Sequence, residues 1–580
     1  MRIYPMNHRI SSTRPALSMS TGRVRFMLAI IGALFLTLIG RALYLQLVQQ
    51  DFLVNQGDAR FRRSLVLEAN RGVITDRNGE PLAISSPVQT IWASPADMDP
   101  VPPAKLRALA KLLDMSPEEI DSKLSDSKRE FVYIKRQISP ELAEQVMALG
   151  IPGISKEQEY RRFYPAGDIF SHIIGFTGVD GKGQEGVELS REKMLAGTNG
   201  RRVVIKDQRG HIIDDVGPVE PPRDGQTLVL AVDQRIQYLA SRELKNAVEV
   251  NKAKSGSVVV LDAHTGELLA LANYPTYNPN NRQGTTPEML RNRAVIDMFE
   301  PGSTMKPLSI SVALEEGKAT VNTVLDTHPY MIGPARIHDV TDSDHLNIVG
   351  IIQKSSNVGA SKLALMVPPQ DFWRYYDAYG FGHSPETGFP GETSGRLREW
   401  KTWRPIEQAT MSFGYGVSVS LLQMARAYSV FTNHGVMLPV TLYKTSTPMP
   451  GVRVLSAKTA DAMRDVLITN SEPGGGAVGG RVLGYSIGGK SGTARVLDNG
   501  SYAADKHRAL FIGFAPGKAP KMIVAVMIDE PSAGKYYGGA VAAPVFSNVV
   551  GGSLRIMNVQ PDQPYNNTLL PSSTPIPADF

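Results

Sequence analysis

The chain has 580 residues, no cysteine, 20% charged residues and a net charge of +6. This length exceeds what one hydrophobic core supports, so we expect two or three domains. The lack of cysteine excludes disulfides, thiolate metal sites and a cysteine nucleophile, and the modest, interspersed charge argues against a tract that binds nucleic acid.

An apolar run near the N-terminus is long enough to cross a membrane. It covers residues 24–48, carries no charge over 26–40, and exceeds the roughly 20 residues that span a bilayer core. Basic residues and no acidic ones precede it, so the positive-inside rule places residues 1–23 in the cytoplasm and the rest outside it. A signal peptide cleaved near Gly40 and Ala42 is the alternative, but the apolar run continues past that site.

Residues 51–222 mix short alternating runs with polar helical segments. The tetrapeptide DRNG at 76–79 is a strong turn signal between two strand-like runs. Ser116 and Ser139 each precede a Pro-Glu pair, a pattern typical of helix N-caps. We find no catalytic constellation here, so the segment is predicted to be a binding or spacer module.

Residues 225–556 have strand-like runs at both ends and helical segments between them. The runs TLVLAVD (227–233), 255–273, 509–517 and 521–530 are predicted to form one sheet, with hairpin turns at 262–266 and 517–520. A sheet closed by both ends of a segment indicates a single α+β domain. The proline-rich tail, 557–580, has a composition typical of disorder.

The segment EPGSTMKP (300–307) carries the first chemical pattern. It leads into an apolar run, which predicts a helix with Ser303 as its N-cap and Lys306 about one turn further on the same face. The helix dipole and burial disfavour a charged amine there, so Lys306 can serve as the base that activates Ser303. A second Ser-x-x-Lys, at 125–128, lacks the apolar helix and indicates solvated surface. In isolation, Ser303 is equally consistent with an ordinary N-cap.

A second pattern pairs Ser355 with Asn357 on one short turn before a helical run. The hydroxyl can relay a proton and the side-chain amide can hold a substrate amide. A capping box is an equally good explanation of these residues taken alone.

The third pattern, GYSIGGKSGT (484–493), fits a phosphate-binding P-loop at its fixed positions. A P-loop requires a strand before it and a helix after it, whereas glycines precede Lys490 and a turn at 498–500 leaves no room for a helix. We therefore predict a strand, on which small Gly492 admits a ligand. Lys490, Ser491 and Thr493 then offer a cation and two hydroxyls to a carboxylate, and the same context argues against an ATPase.

In this order the three patterns resemble the signature of penicillin-binding proteins and serine β-lactamases. Segments 71–83, 161–167 and 183–188 are similar to the N-terminal module of class B penicillin-binding proteins. Segments 272–281 and 291–307 resemble the transpeptidase domain of the division-specific FtsI type. The resemblance implies an α+β architecture: a transmembrane helix, an elongated mixed α/β pedestal of the dimerisation type, and a transpeptidase domain with an antiparallel sheet flanked by helices.

The resemblance implies a peptidoglycan D,D-transpeptidase. Ser303 would attack the D-Ala–D-Ala bond of a stem peptide, with Lys306 as base and Ser355 in the proton path. An amine of a second stem peptide would then take the acyl group. The other residues that the resemblance implies are Asn357 for the donor amide, Lys490, Ser491, Gly492 and Thr493 for its carboxylate, the backbone N–H groups of Ser303 and Thr493 for the oxyanion hole, and Tyr415, Tyr536 and Tyr537 as walls.

The resemblance further implies septal cell-wall synthesis and inhibition by β-lactams. Its implied partners are stem peptides, lipid-linked precursor, an FtsW-type glycosyltransferase and other division proteins, with no cofactor, metal, nucleotide or nucleic acid. The implied location is the bacterial inner membrane, with a single span and a periplasmic catalytic domain. The alternatives that remain are an elongation-type or conditional paralogue, a D,D-carboxypeptidase, a β-lactamase and a β-lactam sensor. A bifunctional enzyme is disfavoured, because no glycosyltransferase module is recognisable before the catalytic domain.

Overall fold

The computed structural model describes residues 20–50, 62–129, 131–206, 212–215, 219–498 and 501–565. Nearly all of the predicted cytoplasmic segment, and residues 566–580 of the predicted disordered tail, lie outside the described residues. Helix α1 (Thr21–Leu47) follows the predicted span, and its most apolar window has a mean hydropathy of 2.2. None of its residues is buried, so its apolar surface is available to lipid.

The N-terminal module is built on two sheets. Its strands are β1 (Arg62–Leu67), β2 (Ile74–Thr75), β3 (Pro81–Ala93), β4 (Val132–Ile138), β5 (Ile154–Phe163), β6 (Gly200–Lys206), β7 (Ile212–Asp215) and β8 (Leu228–Val229). One sheet has the order β1-β6-β7, and the other has the order β4-β3-β2-β8 with β5 also paired to β3. Most of the long β3 pairs with β5, and this two-stranded ribbon is the central element of the module.

Three helices cover one face of the ribbon, namely α2 (Pro103–Leu113), α3 (Pro117–Leu124) and α4 (Pro140–Ala148). Ile91 and Ile134 of the strands pack with Leu109 and Ile120 of the helices in a separate hydrophobic core. The two predicted N-caps are confirmed, because the serine hydroxyls before α3 and α4 accept hydrogen bonds from backbone N–H groups three residues on, at 3.1 and 3.3 Å.

A buried ion cluster joins the three segments that resemble class B proteins. Glu188 is fully buried and accepts hydrogen bonds from Arg71 Nε at 2.6 Å and from Arg162 Nε at 2.7 Å. Arg71 also pairs with Glu192 at 2.8 Å. The cluster lies near α5 (Ser171–Ile174), α6 (Gly186–Ser190) and α7 (Glu192–Leu195). The three segments are therefore neighbours in space and stabilise one another.

We expect Glu188→Ala to destabilise the N-terminal module by about 3–5 kcal/mol, since it leaves two buried guanidinium groups without their shared carboxylate. Chemical denaturation followed by circular dichroism measures the change. The matched control is Glu220→Ala, which removes the partner of Arg201 from a pair whose side chains are both 59% exposed. This control should change stability little. Equal destabilisation by both variants would contradict the expectation that burial of the Glu188 ion cluster determines the size of the effect.

The C-terminal domain contains a five-stranded antiparallel sheet. Its strands are β9 (Ser255–Asp262), β10 (Leu268–Tyr274), β17 (Gly488–Asp498), β18 (Ser501–Ala515) and β19 (Met522–Asp529), in the order β10-β9-β19-β18-β17. The predicted turns at 262–266 and 517–520 connect β9 to β10 and β18 to β19. Strand β17 is an edge strand, so one side of its backbone is not paired within the sheet.

Both faces of this sheet are covered by helices. On β19, Val524 faces a core that includes Leu244 of α8 (Gln234–Val250) and Val549 of α20 (Ala543–Ile556). Its neighbour Ile523 faces the opposite core, which includes Leu308 of α11 (Lys306–Glu315). Successive strand residues alternate between the faces, so these strands read as apolar runs. The arrangement confirms the predicted α+β class.

Short elements and further helices complete this domain. The short strands are β11 (Leu325–Asp326), β12 (Tyr330–Ile332), β13 (Ala335–Ile337), β14 (His345–Leu346), β15 (Val436–Met437) and β16 (Val452–Arg453). The helices are α9 (Pro287–Leu290), α10 (Arg293–Ile296), α12 (Ile348–Gln353), α13 (Asn357–Leu365), α14 (Pro369–Ala378), α15 (Pro405–Met411), α16 (Leu421–Ala427), α17 (Ser429–Thr432), α18 (Ala457–Thr469) and α19 (Gly538–Val541).

One predicted strand belongs to a different sheet. Within TLVLAVD the strand is β8, and it pairs in parallel with β2 of the N-terminal module. The run ends at Asp233, whose carboxylate caps α8 by accepting from the Arg235 N–H. The run also contacts the C-terminal sheet, where the Asp233 N–H donates to the Leu269 carbonyl. Apolar alternation identified a strand correctly, but alternation carries no information about the partner strand.

Candidate active site

Ser303 lies in a 3₁₀ turn (Gly302–Met305) immediately before α11. The prediction that it caps the helix is wrong, because the helix begins with this tighter turn. Gly302 has a positive φ of 54°, and the Thr304 hydroxyl donates to the Pro301 carbonyl at 2.6 Å. Both features stabilise the turn locally. Ser303 nevertheless remains one turn from Lys306, with 3.1 Å between Oγ and Nζ.

Three functional groups form a closed triangle at this turn. Lys306 Nζ lies 3.1 Å from Ser303 Oγ and 3.0 Å from Ser355 Oγ, and the two hydroxyl oxygens are 3.0 Å apart. Nζ also donates to the backbone carbonyl of Ser355. The Lys306 side chain is fully buried. The structure therefore brings the predicted nucleophile, base and proton relay into direct contact.

This geometry can accommodate an uncharged amine on Lys306. The Ser355 carbonyl only accepts, so it takes one N–H, and Ser355 Oγ can take the second. The nitrogen lone pair is then directed at the hydroxyl proton of Ser303. Ser303 Oγ can accept in turn from the Ser355 hydroxyl. Each group has a partner, and the proton of the nucleophile has an acceptor within hydrogen-bond distance.

The turn that carries Ser355 and Asn357 is held by Asp339, which the sequence analysis did not identify. The Asp339 carboxylate accepts from the backbone N–H of Asn357 at 2.5 Å and of Val358 at 2.9 Å, and from the Ser356 hydroxyl. Ser356, rather than Ser355, caps α13. Ser355 itself adopts a left-handed conformation with φ of 54°, which turns its side chain away from the helix start.

We expect Asp339→Ala to slow acylation by penicillin about 10- to 100-fold, because two part-buried backbone donors lose their acceptor and the Ser355 turn loosens. Stopped-flow fluorescence with a labelled penicillin measures the acylation rate. Asp342→Ala, an exposed acid nearby, is the control and should leave the rate unchanged. If the acylation rate falls only in proportion to a loss of thermal stability of the whole domain, Asp339 does not specifically position the Ser355 turn.

Lys490 lies on edge strand β17, as predicted, and the described chain continues as a strand to Asp498. A strand therefore stands where a P-loop requires a helix, which contradicts the P-loop interpretation of this segment. A Cβ at Gly492 would lie 2.9 Å from Thr304 Cγ2 and 3.2 Å from the Thr304 nitrogen. Gly492 thus allows β17 to pass directly beside the turn that carries Ser303. The Lys490 side chain is fully buried, and Nζ donates to the Ser491 carbonyl at 2.9 Å.

The two hydroxyls predicted beside Lys490 have different surroundings. Ser491 is fully buried, and its hydroxyl donates to the Gly476 carbonyl at 2.9 Å. Thr493 is half-buried, and its hydroxyl accepts from the Gly538 N–H at 3.1 Å. In this geometry Thr493 is the more accessible of the two to a ligand.

Tyr415 belongs to an aromatic wall with a residue that the sequence analysis missed. Its ring meets Tyr502 edge to face, with the centroids 5.4 Å apart. Glu300 connects the two sides, because it accepts from the Tyr502 hydroxyl at 2.9 Å and from the Gly416 N–H at 2.8 Å. Burial raises the pKa of both tyrosines, so both hydroxyls remain neutral hydrogen-bond donors. Tyr502 lies on β18, far from Tyr415 in sequence.

Tyr536 and Tyr537 lie between β19 and α19, with their hydroxyls 2.8 Å apart. The Tyr536 ring stacks on His507 of β18 at 4.2 Å between centroids. Burial lowers the pKa of His507, so this stack is with a neutral imidazole near pH 7. Gly538, which contacts the Thr493 hydroxyl, follows directly, so the tyrosines stand at the Thr493 end of β17.

These features define an acyl-transfer domain with a serine nucleophile. A serine and a lysine share one helical turn, a second serine contacts both of them, and an edge strand lies alongside. The chain belongs to the penicillin-binding protein family. The model of the penicillin-binding protein transpeptidase domain matches residues 256–551, and that of the penicillin-binding protein dimerisation domain matches residues 66–230. The predicted membership of this family is confirmed.

Two curated relatives and one solved structure illustrate the similarity. The probable peptidoglycan D,D-transpeptidase PenA of Neisseria meningitidis is 48% identical over 548 residues, which cover 94% of each chain. The peptidoglycan D,D-transpeptidase FtsI of Escherichia coli K12 is 42% identical over 530 residues, 90% of each. The transpeptidase domain of Burkholderia pseudomallei penicillin-binding protein 3 is 44% identical, with a TM-score of 0.54, covering 58% of this chain and 98% of that one.

Proposed function

We propose that the chain is a peptidoglycan D,D-transpeptidase that works through a serine acyl-enzyme and is a target of β-lactams. The observation that carries this proposal is the triangle of Ser303 Oγ, Lys306 Nζ and Ser355 Oγ. Ser303 attacks the carbonyl carbon between the two terminal D-alanines of a donor stem peptide. The amide C–N bond breaks, the last D-alanine leaves as an amine, and the remaining peptide is bound to Ser303 as an ester.

The proton follows the contacts of the triangle. Lys306 takes the hydroxyl proton of Ser303 as the new C–O bond forms, and Ser355 passes a proton to the nitrogen of the leaving D-alanine. In the second half-reaction an amine of an acceptor stem peptide attacks the ester and loses its proton along the same path. Ser303 is regenerated, and the two stem peptides are joined by a new amide bond.

The remaining predicted residues hold the donor and the transition state. We propose that the Asn357 side chain binds the donor amide and that Lys490 attracts the terminal carboxylate to β17. Thr493 is the principal hydroxyl contact, with Ser491 behind it and Gly492 keeping the strand close. The backbone N–H groups of Ser303 and Thr493 form the oxyanion hole. Tyr415 with Tyr502 behind it, and the pair Tyr536 and Tyr537, are proposed as the aromatic walls of the site.

The proposed arrangement in the cell follows from the apolar helix and the basic residues before it. Residues 1–23 lie in the cytoplasm, 24–48 span the inner membrane, 51–222 form a pedestal, 225–556 form the periplasmic catalytic domain, and 557–580 are a tail. The relative named FtsI supports a role in septal synthesis. The proposed partners, namely an FtsW-type glycosyltransferase, lipid-linked precursor and other division proteins, rest on the family resemblance alone. Depletion with imaging tests this role, because filaments support division and round cells support elongation.

Intact-protein mass spectrometry tests the chemistry. Incubation with benzylpenicillin should add the mass of one drug molecule, and peptide mapping should place it on Ser303. The adduct should persist for many minutes, since a transpeptidase excludes water from its ester. Rapid release would favour a β-lactamase or a carboxypeptidase. An unmodified protein, or an adduct on another residue, would contradict the assignment.

A further inference from the structure

A second concave site lies on the opposite side of the catalytic domain. A cavity of about 260 Å³ lies between α8, the end of β10 and the segment of the N-terminal module that precedes α5. Strands β10 and β17 are the two edges of the five-stranded sheet. Four spacings of about 4.8 Å place the cavity on the order of 19 Å from the Lys490 strand, so it is separate from the acyl-transfer site.

One face of α8 lines this cavity. Tyr238, Ser241, Arg242 and Lys245 all line it, and they recur at the spacing of a single helical face. Packing does not explain this face, because the residues of α8 that reach the core occupy other positions. Tyr238 is 52% exposed, which leaves a large aromatic ring at the rim of a cavity. Such a ring is a candidate for ligand contact.

A second tyrosine lines the cavity from β10. The Tyr274 hydroxyl donates to Glu249 Oε1 at 2.8 Å, which fixes the ring in place. The cavity is therefore lined by one held ring and one exposed ring. Aromatic rings offer flat apolar faces at little cost in conformational entropy, which suits a ligand that is itself flat and partly apolar.

The polar groups around the rings both donate and accept. The guanidinium group of Arg242 is paired with Glu243, at 2.7 Å from Nη2, and Lys245 Nζ lies 4.0 Å from Glu249. Asp168 contributes a carboxylate from the opposite wall. Because the two cations have acidic neighbours, the cavity is close to neutral. It suits an uncharged ligand that carries several hydroxyl or amide groups rather than a phosphate or a multiply charged anion.

We propose that this cavity binds a sugar ring of the peptidoglycan glycan strand. An N-acetylated hexosamine has an apolar C–H face for Tyr238 and Tyr274, and hydroxyl and acetamido edges for Asp168 and Arg242. This proposal rests on the proposed function, in which the substrate is a glycan polymer with peptide branches. One strand can contact the cavity through its sugars while its stem peptide reaches Ser303. The cavity then helps to retain the polymer between the two half-reactions.

The test uses the full-length protein in detergent, acylated beforehand with benzylpenicillin so that the catalytic site is blocked. Isothermal titration calorimetry measures binding of a peptide-free tetrasaccharide of alternating N-acetylglucosamine and N-acetylmuramic acid. We expect saturable binding that Tyr238→Ala weakens at least tenfold and that Tyr238→Phe retains. Tyr133→Ala removes an exposed tyrosine elsewhere and is the control. We expect it to leave binding unchanged.

Absent saccharide binding, or equal weakening in the Tyr133 control, would overturn the proposal. Binding of a free stem pentapeptide that is lost in Tyr238→Ala would also overturn it, because the cavity would then be a peptide site. Penicillin acylation is measured separately for each variant and should be unchanged. Failure of penicillin to acylate the wild-type protein would refute the proposed function. Acylation and saccharide binding are separate measurements, so the two failures can be distinguished.

Discussion

Ser303→Ala is expected to abolish covalent labelling by penicillin, with a fall in acylation rate on the order of 10⁶-fold, as for the loss of a serine nucleophile elsewhere. The substitution removes the oxygen that forms the acyl bond, and this oxygen is also the corner of the triangle that lies 3.1 Å from Lys306 Nζ. Gel fluorescence with a labelled penicillin, followed by mass spectrometry of the intact protein, measures the loss.

The chain supplies a matched control for this variant. Ser125→Ala changes the serine of the second Ser-x-x-Lys sequence, which lies on an exposed surface, where the Ser125 hydroxyl donates to the Ser122 carbonyl. Labelling should be unaffected there. Thermal denaturation of both variants should resemble that of the unmodified protein, because a hydroxyl is lost without a cavity. Persistent labelling of Ser303→Ala would show that another residue is the nucleophile.

The local part of the site could be predicted from the sequence because it depends on helix geometry. Three positions along one helical turn bring Ser303 and Lys306 together whether the turn is α or 3₁₀. The error about the N-cap therefore left the predicted contact intact. The strand under Lys490 was predictable for a similar reason, since the glycines before it and the turn after it exclude a helix. The segment matches the P-loop pattern residue by residue, but it lacks the helix that a P-loop requires.

The residues that were missed act over long sequence distances. Asp339 holds a turn that begins at Ser356, and Tyr502 meets Glu300 although 202 positions separate them. Nothing in the local sequence indicates that an acid two residues after β13 accepts the first N–H groups of a later helix. The same limit explains the partner of β8, which lies in the other module. Sequence patterns identified the reacting groups, whereas the groups that position them became visible only once the chain was folded.

The proposed base is tested by changing Lys306 in two ways. Lys306→Met keeps an unbranched chain but removes the amine, and Lys306→Arg introduces a guanidinium that does not lose its proton in proteins. If Lys306 removes the Ser303 proton, both variants should acylate about 10²- to 10⁴-fold more slowly, the range for loss of a general base. Lys354→Met, an exposed lysine directly before Ser355, is the control and should acylate normally.

The arginine variant separates two roles that the structure alone allows for a buried lysine. Nζ contacts both hydroxyls and the Ser355 carbonyl, so it can also act as a structural donor. A guanidinium can replace a donor but cannot accept a proton. Near-normal acylation by Lys306→Arg would therefore show that Lys306 only positions Ser303 and Ser355, and that the proton leaves by another path. A comparable loss in both variants, with unchanged thermal stability, would assign the proton transfer to the Lys306 amine.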